Sequence, residues 1–276
     1  MVGNSLHGDR PDDGAHSGAR GVLGAAREAV AAAERDYALG TALRLDEDYD
    51  GALAAYRRAA EQGHAKAQND VGAMLLHGLG AAADPAAAVP WYRKAAEQGL
   101  AEAQFNLAAR YLNGSGVEQD DEQAARWLAQ AAQQGDVDAI AQLGTLFRLG
   151  QGVPQDLAAA ADLHAMAAAA GDAGALGQLE SYRDELERTA LAGSAQAALT
   201  LAQMHEEGLA VDPDPIEAWA WLCWAQERAD DDEETADDLA DDLAEREATL
   251  GRLLDQPDRR AGMERLDQLR RRAQRA

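Results

Sequence analysis

Apolar positions recur along most of the chain at steps of three and four, the spacing of a helix face rather than of a strand. Between Ala101 and Leu112 they fall at 105, 107, 108, 111 and 112, which predicts one helix. Asn113-Gly114-Ser115-Gly116 stops it, because glycine adopts the left-handed conformation that ends helices without strain. Asp120 or Asp121 is then placed to cap a second helix over Glu122 to Gln134, and Gly135 ends that one. The pattern predicts a helix pair.

The pair repeats. Ala60-Glu61-Gln62-Gly63 returns as Ala96-Glu97-Gln98-Gly99, as Ala132-Gln133-Gln134-Gly135 and, shortened, as Ala169-Ala170-Gly171, so Gly63, Gly99, Gly135 and Gly171 stand 36 residues apart. Gln68 and Gln104 keep the same step, as do Trp91-Tyr92 and Trp127-Leu128. Gly72, Ala108 and Gly144 form a column of small residues, where a larger side chain would push paired helices apart. A fixed period of this length is the signature of stacked helix pairs. The step fails over 172–192, where Glu180 falls in the small-residue column and a charged helix is expected. It resumes with Leu199, Gly208, Leu209, Asp212 and Trp219, each 92 residues after its counterpart.

Composition narrows the fold class. The 276 residues include 66 Ala but only nine Val, two Ile and six Thr, which favours helices over sheets. The expected fold is an all-α, right-handed αα solenoid of about five helix pairs. The copies lie near 34–63, 64–99, 100–135, 136–171 and 193–229, with an interrupting helix at 172–192. Residues 1–20 read as a disordered tail, and 21–33 as a lead-in or capping helix. Residues 230–247 carry 11 acids and one Arg, whereas 252–275 carry eight Arg and four acids. Leu239, Leu243, Leu250 and Leu254 recur at helical spacing, as do Met263, Leu266 and Leu269, so 230–276 reads as an acidic/basic helical hairpin capping the open end, with a docking arm for another protein as the alternative.

Charge narrows the partners. Lys and Arg number 25 against 49 Asp and Glu, a formal net charge of −24. Such a field repels nucleic acid and anionic lipid. No run of 18 apolar residues is present to span a membrane, and 1–20 lacks the apolar core of a secretory signal. The expectation is a cytoplasmic protein, monomeric or weakly self-associating, with no nucleic-acid or membrane partner.

The segment Ala103-Gln104-Phe105-Asn106-Leu107-Ala108-Ala109-Arg110-Tyr111-Leu112-Asn113-Gly114-Ser115-Gly116-Val117, followed by Asp120, Ala125-Arg126-Trp127-Leu128 and Ala131 to Gly135, resembles the Sel-one-like repeat. That repeat is a 36-residue relative of the tetratricopeptide repeat. Leu149-Gly150-Gln151-Gly152-Val153-Pro154-Gln155-Asp156 resembles its loop closely, while Asp48 to Leu53 is more similar to a tetratricopeptide turn. The resemblance implies the solenoid fold and a scaffold or adaptor role, with the first helices lining a concave binding face.

No catalytic constellation accompanies the repeats. The Gly-x-Gly pairs at 78, 114 and 150 lack a preceding strand and a third glycine, so they are repeat loops. The six histidines have no His or Cys at ligand spacing, and the lone Cys223, between Trp221 and Trp224, reads as a small buried apolar group. His164 shares a column with Tyr56 and Tyr92 and is expected to pack partly buried; Trp91, Trp127 and Trp219 are expected in the core. The acidic run at 230–234 lacks the alternation of a calcium loop. No catalytic residue, metal site or cofactor is expected. Two alternatives to a scaffold remain: a self-assembling structural repeat, and the β-lactam-binding or -hydrolysing activity described for cysteine-rich relatives, whose paired cysteines this chain lacks.

What remains is a surface for a protein or peptide. By analogy with the tetratricopeptide groove, the inward positions are Tyr37, Thr41 and Arg44; Asn69, Asp70 and Ala73; Phe105, Asn106 and Ala109; and Gln142, Thr145 and Arg148. The partner contacts are expected at Tyr37, Asn69, Phe105, Asn106, Gln142 and Arg148. An amide there can bond both an N–H and a C=O of an extended ligand.

Overall fold

The computed structural model describes residues 14–229, 243, 246 and 248–275, and side chains from Arg27 onward. Every regular element among them is a helix. The chain divides into two compact units, Met1–Ala103 and Gln104–Ala276.

The first unit begins with α1 (Gly14–Leu45), followed by α2 (Tyr49–Glu61), α3 (Ala65–His77) and α4 (Pro85–Glu97). α1 is one unbroken helix across a segment that the sequence divides into tail, lead-in and first repeat helix; residues 1–13 lie outside the described residues. Each later helix starts on a side chain that accepts from its first turn: Asp48 from Gly51 N, His64 from Ala67 N and Asp84 from Ala87 N. Gly63 and Gly99 have φ of +89° and +88° and turn the chain from one pair into the next.

The core of this unit is mostly alanine around two tyrosines, Tyr56 and Tyr92, both almost fully buried. Their rings lie on Gly40 and Gly72, where an added Cβ would meet the tyrosine ring at 2.6 Å and 2.9 Å. Gln68 ties the pairs together. Its amide donates to Ala60 O at 3.0 Å, and its Oε1 accepts from Gln98 Nε2 at 2.6 Å.

The boundary falls within α5 (Ala101–Asn113), after which come α6 (Asp121–Gln133), α7 (Val137–Leu149) and α8 (Leu157–Ala169). Asp120 caps α6, as the pattern predicts, accepting from Gln123 N at 2.9 Å. The glutamine tie recurs one period on, where Gln134 Nε2 donates to Gln104 Oε1 at 2.8 Å. Gly135 and Gly171 again have left-handed φ, +82° and +100°.

At the interruption the structure holds a 19-residue helix, α9 (Ala173–Leu191), longer than the charged stretch suggests. Leu179, Tyr182, Leu186 and Ala190 bury one face of it. The Ala190 carbonyl, which already accepts from Gly193 N at 3.1 Å in the closing turn of the helix, also accepts from the buried indole of Trp224 at 2.9 Å. Then come α10 (Ala195–Glu207) and α11 (Pro215–Ala229). α10 is drawn to α8 by Gln196 and Thr200, both of which donate to Asp162. Burial pushes the Asp162 carboxyl above the usual range, against these two hydrogen bonds.

Residues 248–253 are helical, and α12 (Gln256–Ala273) follows. α12 lies against α11 at Gly262, where an added Cβ would meet Trp219 at 2.5 Å. Leu266 and Leu269 are buried there, as are Leu243, Leu250 and Leu254, whereas Met263 is exposed. Arg265 grips the Glu217 carboxylate with two nitrogens at 2.6–2.9 Å, Arg270 pairs with Glu227, and Arg272 reaches Glu187 at 2.6 Å. Leu239 and the acidic run at 230–234 lie outside the described residues.

Candidate functional site

In the first unit, Tyr37 is engaged within the protein rather than presented as a free anchor. Its ring stacks on His64 with centroids 4.4 Å apart and lies 5.6 Å from that of Tyr56. Its hydroxyl meets Asp70, and burial together with that carboxylate pushes its pKa up to about 12. Asp70 is pushed up to about 6, chiefly by burial and then by the nearby Glu102 charge, while Arg44 and the Tyr37 hydrogen bond oppose the shift. Tyr56 donates to Thr41 Oγ1 at 3.2 Å, and His64 Nε2 lies 3.1 Å from Glu34. Asn69 is only 2% exposed. Its position in the α3 helix turns it into the packing, so an amide expected on the surface is a buried one.

The second unit has a cavity of about 270 Å³ built from α5, α7, α8 and α9. Phe105 and Gln142, both expected at the site, meet in it. With them are Asp138 and Thr145 of α7, His164 of α8, and Asp172 and Gln178 beside and on α9. Gln178 is 36 residues after Gln142 and continues the column Asp70, Asn106, Gln142. The interruption expected over 172–192 hides this continuation, which one more step of 36 finds. α9 thus stands where the first helix of another pair would stand, without the second.

The cavity is braced from below. His164 is fully buried, not partly, with Nδ1 2.6 Å from the Tyr182 hydroxyl and Nε2 3.4 Å from Thr145 Oγ1. Thr145 donates to Ala141 O at 3.2 Å. With Tyr182 donating to Nδ1, the Nε2–H is left to donate toward Thr145 Oγ1 and the neighbouring backbone carbonyls. Burial lowers the His164 pKa, so the ring is neutral at pH 7. Asp172 is held by its capping bonds, its Oδ1 accepting from Gly174 N at 2.7 Å and Ala175 N at 3.3 Å.

Asn106 is half-buried and does not line the cavity. Arg148 lies further along α7, with its guanidinium carbon 6.0 Å from the Tyr182 ring centre. Trp91 and Trp127, expected in the core, are half-buried; the next column, Tyr92 and Leu128, fills it instead. Cys223 is half-buried against the core, not sealed within it. A larger recess of about 810 Å³ lies between α9 and the loop after α10, with Glu180, Arg183, His205 and Asp214 around it. Among the described residues no group of three or more His, Cys, Asp or Glu side chains is placed to hold a metal ion, and no helix is long and apolar enough to cross a membrane.

Helix pairs at a 36-residue step, joined by left-handed glycines, define an α-helical repeat protein. The Sel1 repeat model matches residues 31–64, 65–100, 101–136, 137–172 and 195–223, well over half of the chain, and the chain belongs to that family. Sel1 repeats are generally protein–protein interaction modules, and proteins built from them are typically non-enzymatic scaffolds. Among solved structures, it is similar to c5321, a protective antigen present in uropathogenic Escherichia coli strains and displaying an SLR fold. The two share 29% identity with a TM-score of 0.55, over 71% of this chain and 46% of that one. This chain therefore spans less than half the length of that relative. A Sel1 repeat protein from Oxalobacter formigenes is similar at 28% identity and a TM-score of 0.52, over 70% of this chain and 85% of that one. Comparison with curated proteins finds no match.

Proposed function

We propose that this chain is a non-catalytic adaptor that holds an extended segment of a partner protein across the α7–α9 face of its second unit. The observation that supports this reading is the pair of amides, Gln142 and Gln178, opening with Phe105 onto one cavity. Each amide offers a donor and an acceptor, the complement of a peptide backbone, and neighbouring amides one repeat apart bracket an extended chain without demanding a sequence. Phe105 supplies an apolar anchor, and Arg148 sits further along α7 to pair a ligand carboxylate by a charge-assisted bond. Tyr37 and Asn69 drop out of the proposed contacts, since one is engaged within the protein and the other is buried. Net charge of −24 steers basic segments toward the protein and makes association weaken as salt rises.

The test selects peptides from a displayed random library on the intact protein. Their binding is then measured to Phe105→Ala and Gln142→Ala variants whose circular dichroism matches the parent. Binding lost in both variants supports the reading. Peptides that bind both variants as tightly as the parent overturn it.

A further inference from the structure

We propose that the α7–α9 cavity is a socket for one arginine side chain on a basic segment of the partner protein; this rests on the reading above and specifies its anchor residue. The volume, about 270 Å³, is below the roughly 300–1,000 Å³ of sites that enclose a whole small molecule, so the cavity suits a single side chain. The charge of its lining is one-sided. Asp138 and Asp172 contribute carboxylates, no Lys or Arg among the described residues lines it, and the His164 ring beneath is neutral because it is buried; Arg148 lies beside the Tyr182 ring, outside the lining.

The remaining groups distinguish arginine from lysine. A guanidinium has five N–H donors in a plane and stacks on aromatic faces, whereas an ammonium is a compact point charge. The cavity lining includes several acceptors, two carboxylates and the Gln142 and Gln178 amides, together with the Phe105 ring, on which a guanidinium plane can stack. Asp172 is already oriented by the α9 N–H groups it caps, so its placement costs little on binding. Those same helix N-termini would attract an anion if they were bare. Here Asp136 caps α7 and Asp172 caps α9, so each end already carries a negative charge.

The chain has two phenylalanines, Phe105 and Phe147, so ring resonances of phenylalanine-labelled full-length protein report the cavity with a built-in control. N-acetyl-arginine N-methylamide is titrated in, alongside its lysine, citrulline and aspartate counterparts. A saturable shift of the Phe105 ring with Phe147 still is expected for arginine, severalfold weaker for lysine and absent for citrulline and aspartate. Asp138→Asn and Asp172→Asn should each weaken arginine binding severalfold; asparagine caps a helix as well as aspartate does, so α9 keeps its start. No saturable shift with arginine, equal binding of citrulline, preference for aspartate, or binding that survives both substitutions overturns the socket. Library peptides that need Phe105 and Gln142 but carry no arginine sink the socket alone and leave the docking face standing. Loss of both results removes the two together.

Discussion

Gly72 and Tyr92 fit as one unit: a Cβ on Gly72 would stand 2.9 Å from the Tyr92 ring, so the first helix of the pair gives up its side chain to seat the ring of the second. The same exchange recurs along the repeats, with other residues from the third copy on. Gly40 faces Tyr56, and Gly144 faces His164 at 3.1 Å. In the third copy the two positions are Ala108 and Leu128, and in the fifth Thr200 and Ala220, all fully or nearly fully buried. As the first-helix residue grows from Gly through Ala to Thr, the second-helix residue shrinks from an aromatic ring through Leu to Ala. At each crossing a larger residue on one helix is met by a smaller one on the other, which is what close packing requires.

Replacing Gly72 or Gly144 by Leu should therefore overpack the pair and cost about 1–3 kcal/mol, with Ala108→Leu in the same range. Gly72→Ala with Tyr92→Leu rewrites the second copy as the third. The double change should cost less than the sum of the two singles, the sign of coupling between touching residues. Chemical unfolding of the four proteins measures this. Additive losses would show that the two positions do not share one volume.

Much of this was legible without coordinates because period and glycine position are local signals. The breaks at Gly63, Gly99, Gly135 and Gly171, and the cap at Asp120, follow from backbone demands that sequence states directly. The site was less legible. Which face of α3 carries Asn69 depends on tertiary packing, and a polar amide in a column of inward residues gives no sign that it is buried. Asp138 and Asp172 stand at helix starts, where acids are common, and only the approach of α9 to α7 brings them to one cavity. Gln178 was readable in principle, but Glu180 in the small-residue column masked the continuing step.

Asp70 should make the first unit favour acid. Its folded carboxyl, pushed up to about 6 by burial, holds a proton more tightly than the unfolded one near 3.9. The folded state thus binds more protons between those values, and the stability gained at low pH is lost as pH rises through about 6. Asp70→Asn keeps an acceptor for the Tyr37 hydroxyl and removes the charge. At pH 7 it should stabilise the unit by roughly 1 kcal/mol, discounted for partial exposure, with no gain at pH 4. Hydrogen exchange of α1 to α4 at the two pH values checks it; an equal effect at both would mean the carboxyl titrates normally.

α12 should behave as part of the second unit. Gly262 lies against Trp219, and Arg265 holds Glu217 with both groups partly shielded from water. Gly262→Val should lift the helix from the indole, and Arg265→Ala should cost about 1.5–3 kcal/mol through loss of a charged, two-pronged bond. Removing 256–276 bares Trp219 and the apolar end of the core. Red-shifted tryptophan emission and a rise in light scattering are expected. A truncated protein with unchanged emission, monomeric at the same concentration, would show that α12 only rests on the surface.

The His164–Tyr182 bond, finally, should fasten α9 to α8 with the opposite dependence on pH from Asp70. The Nδ1 to hydroxyl distance is 2.6 Å in a buried setting, so Tyr182→Phe leaves a ring nitrogen without its donor and should cost about 1–3 kcal/mol. Burial lowers the His164 pKa, helped by Arg148 and opposed by Asp172 and by hydrogen bonds to the Ala141 and Ala160 carbonyls. A histidine depressed in the folded state binds fewer protons there than in the unfolded chain, so its contribution is full above about pH 6.5 and is lost as pH falls through the folded value. Asp162, raised by burial, pulls the other way in the same unit, so the share of His164 is read by difference. His164→Tyr restores the residue type that Tyr56 and Tyr92 supply in their columns and removes the titration. Between pH 7 and 5 the parent should lose more protection in α8 and α9 than this variant does, measured by hydrogen exchange. Equal losses in the two proteins would place the acid sensitivity elsewhere, and an unchanged stability in Tyr182→Phe would show that the bond is not what holds α9 in place.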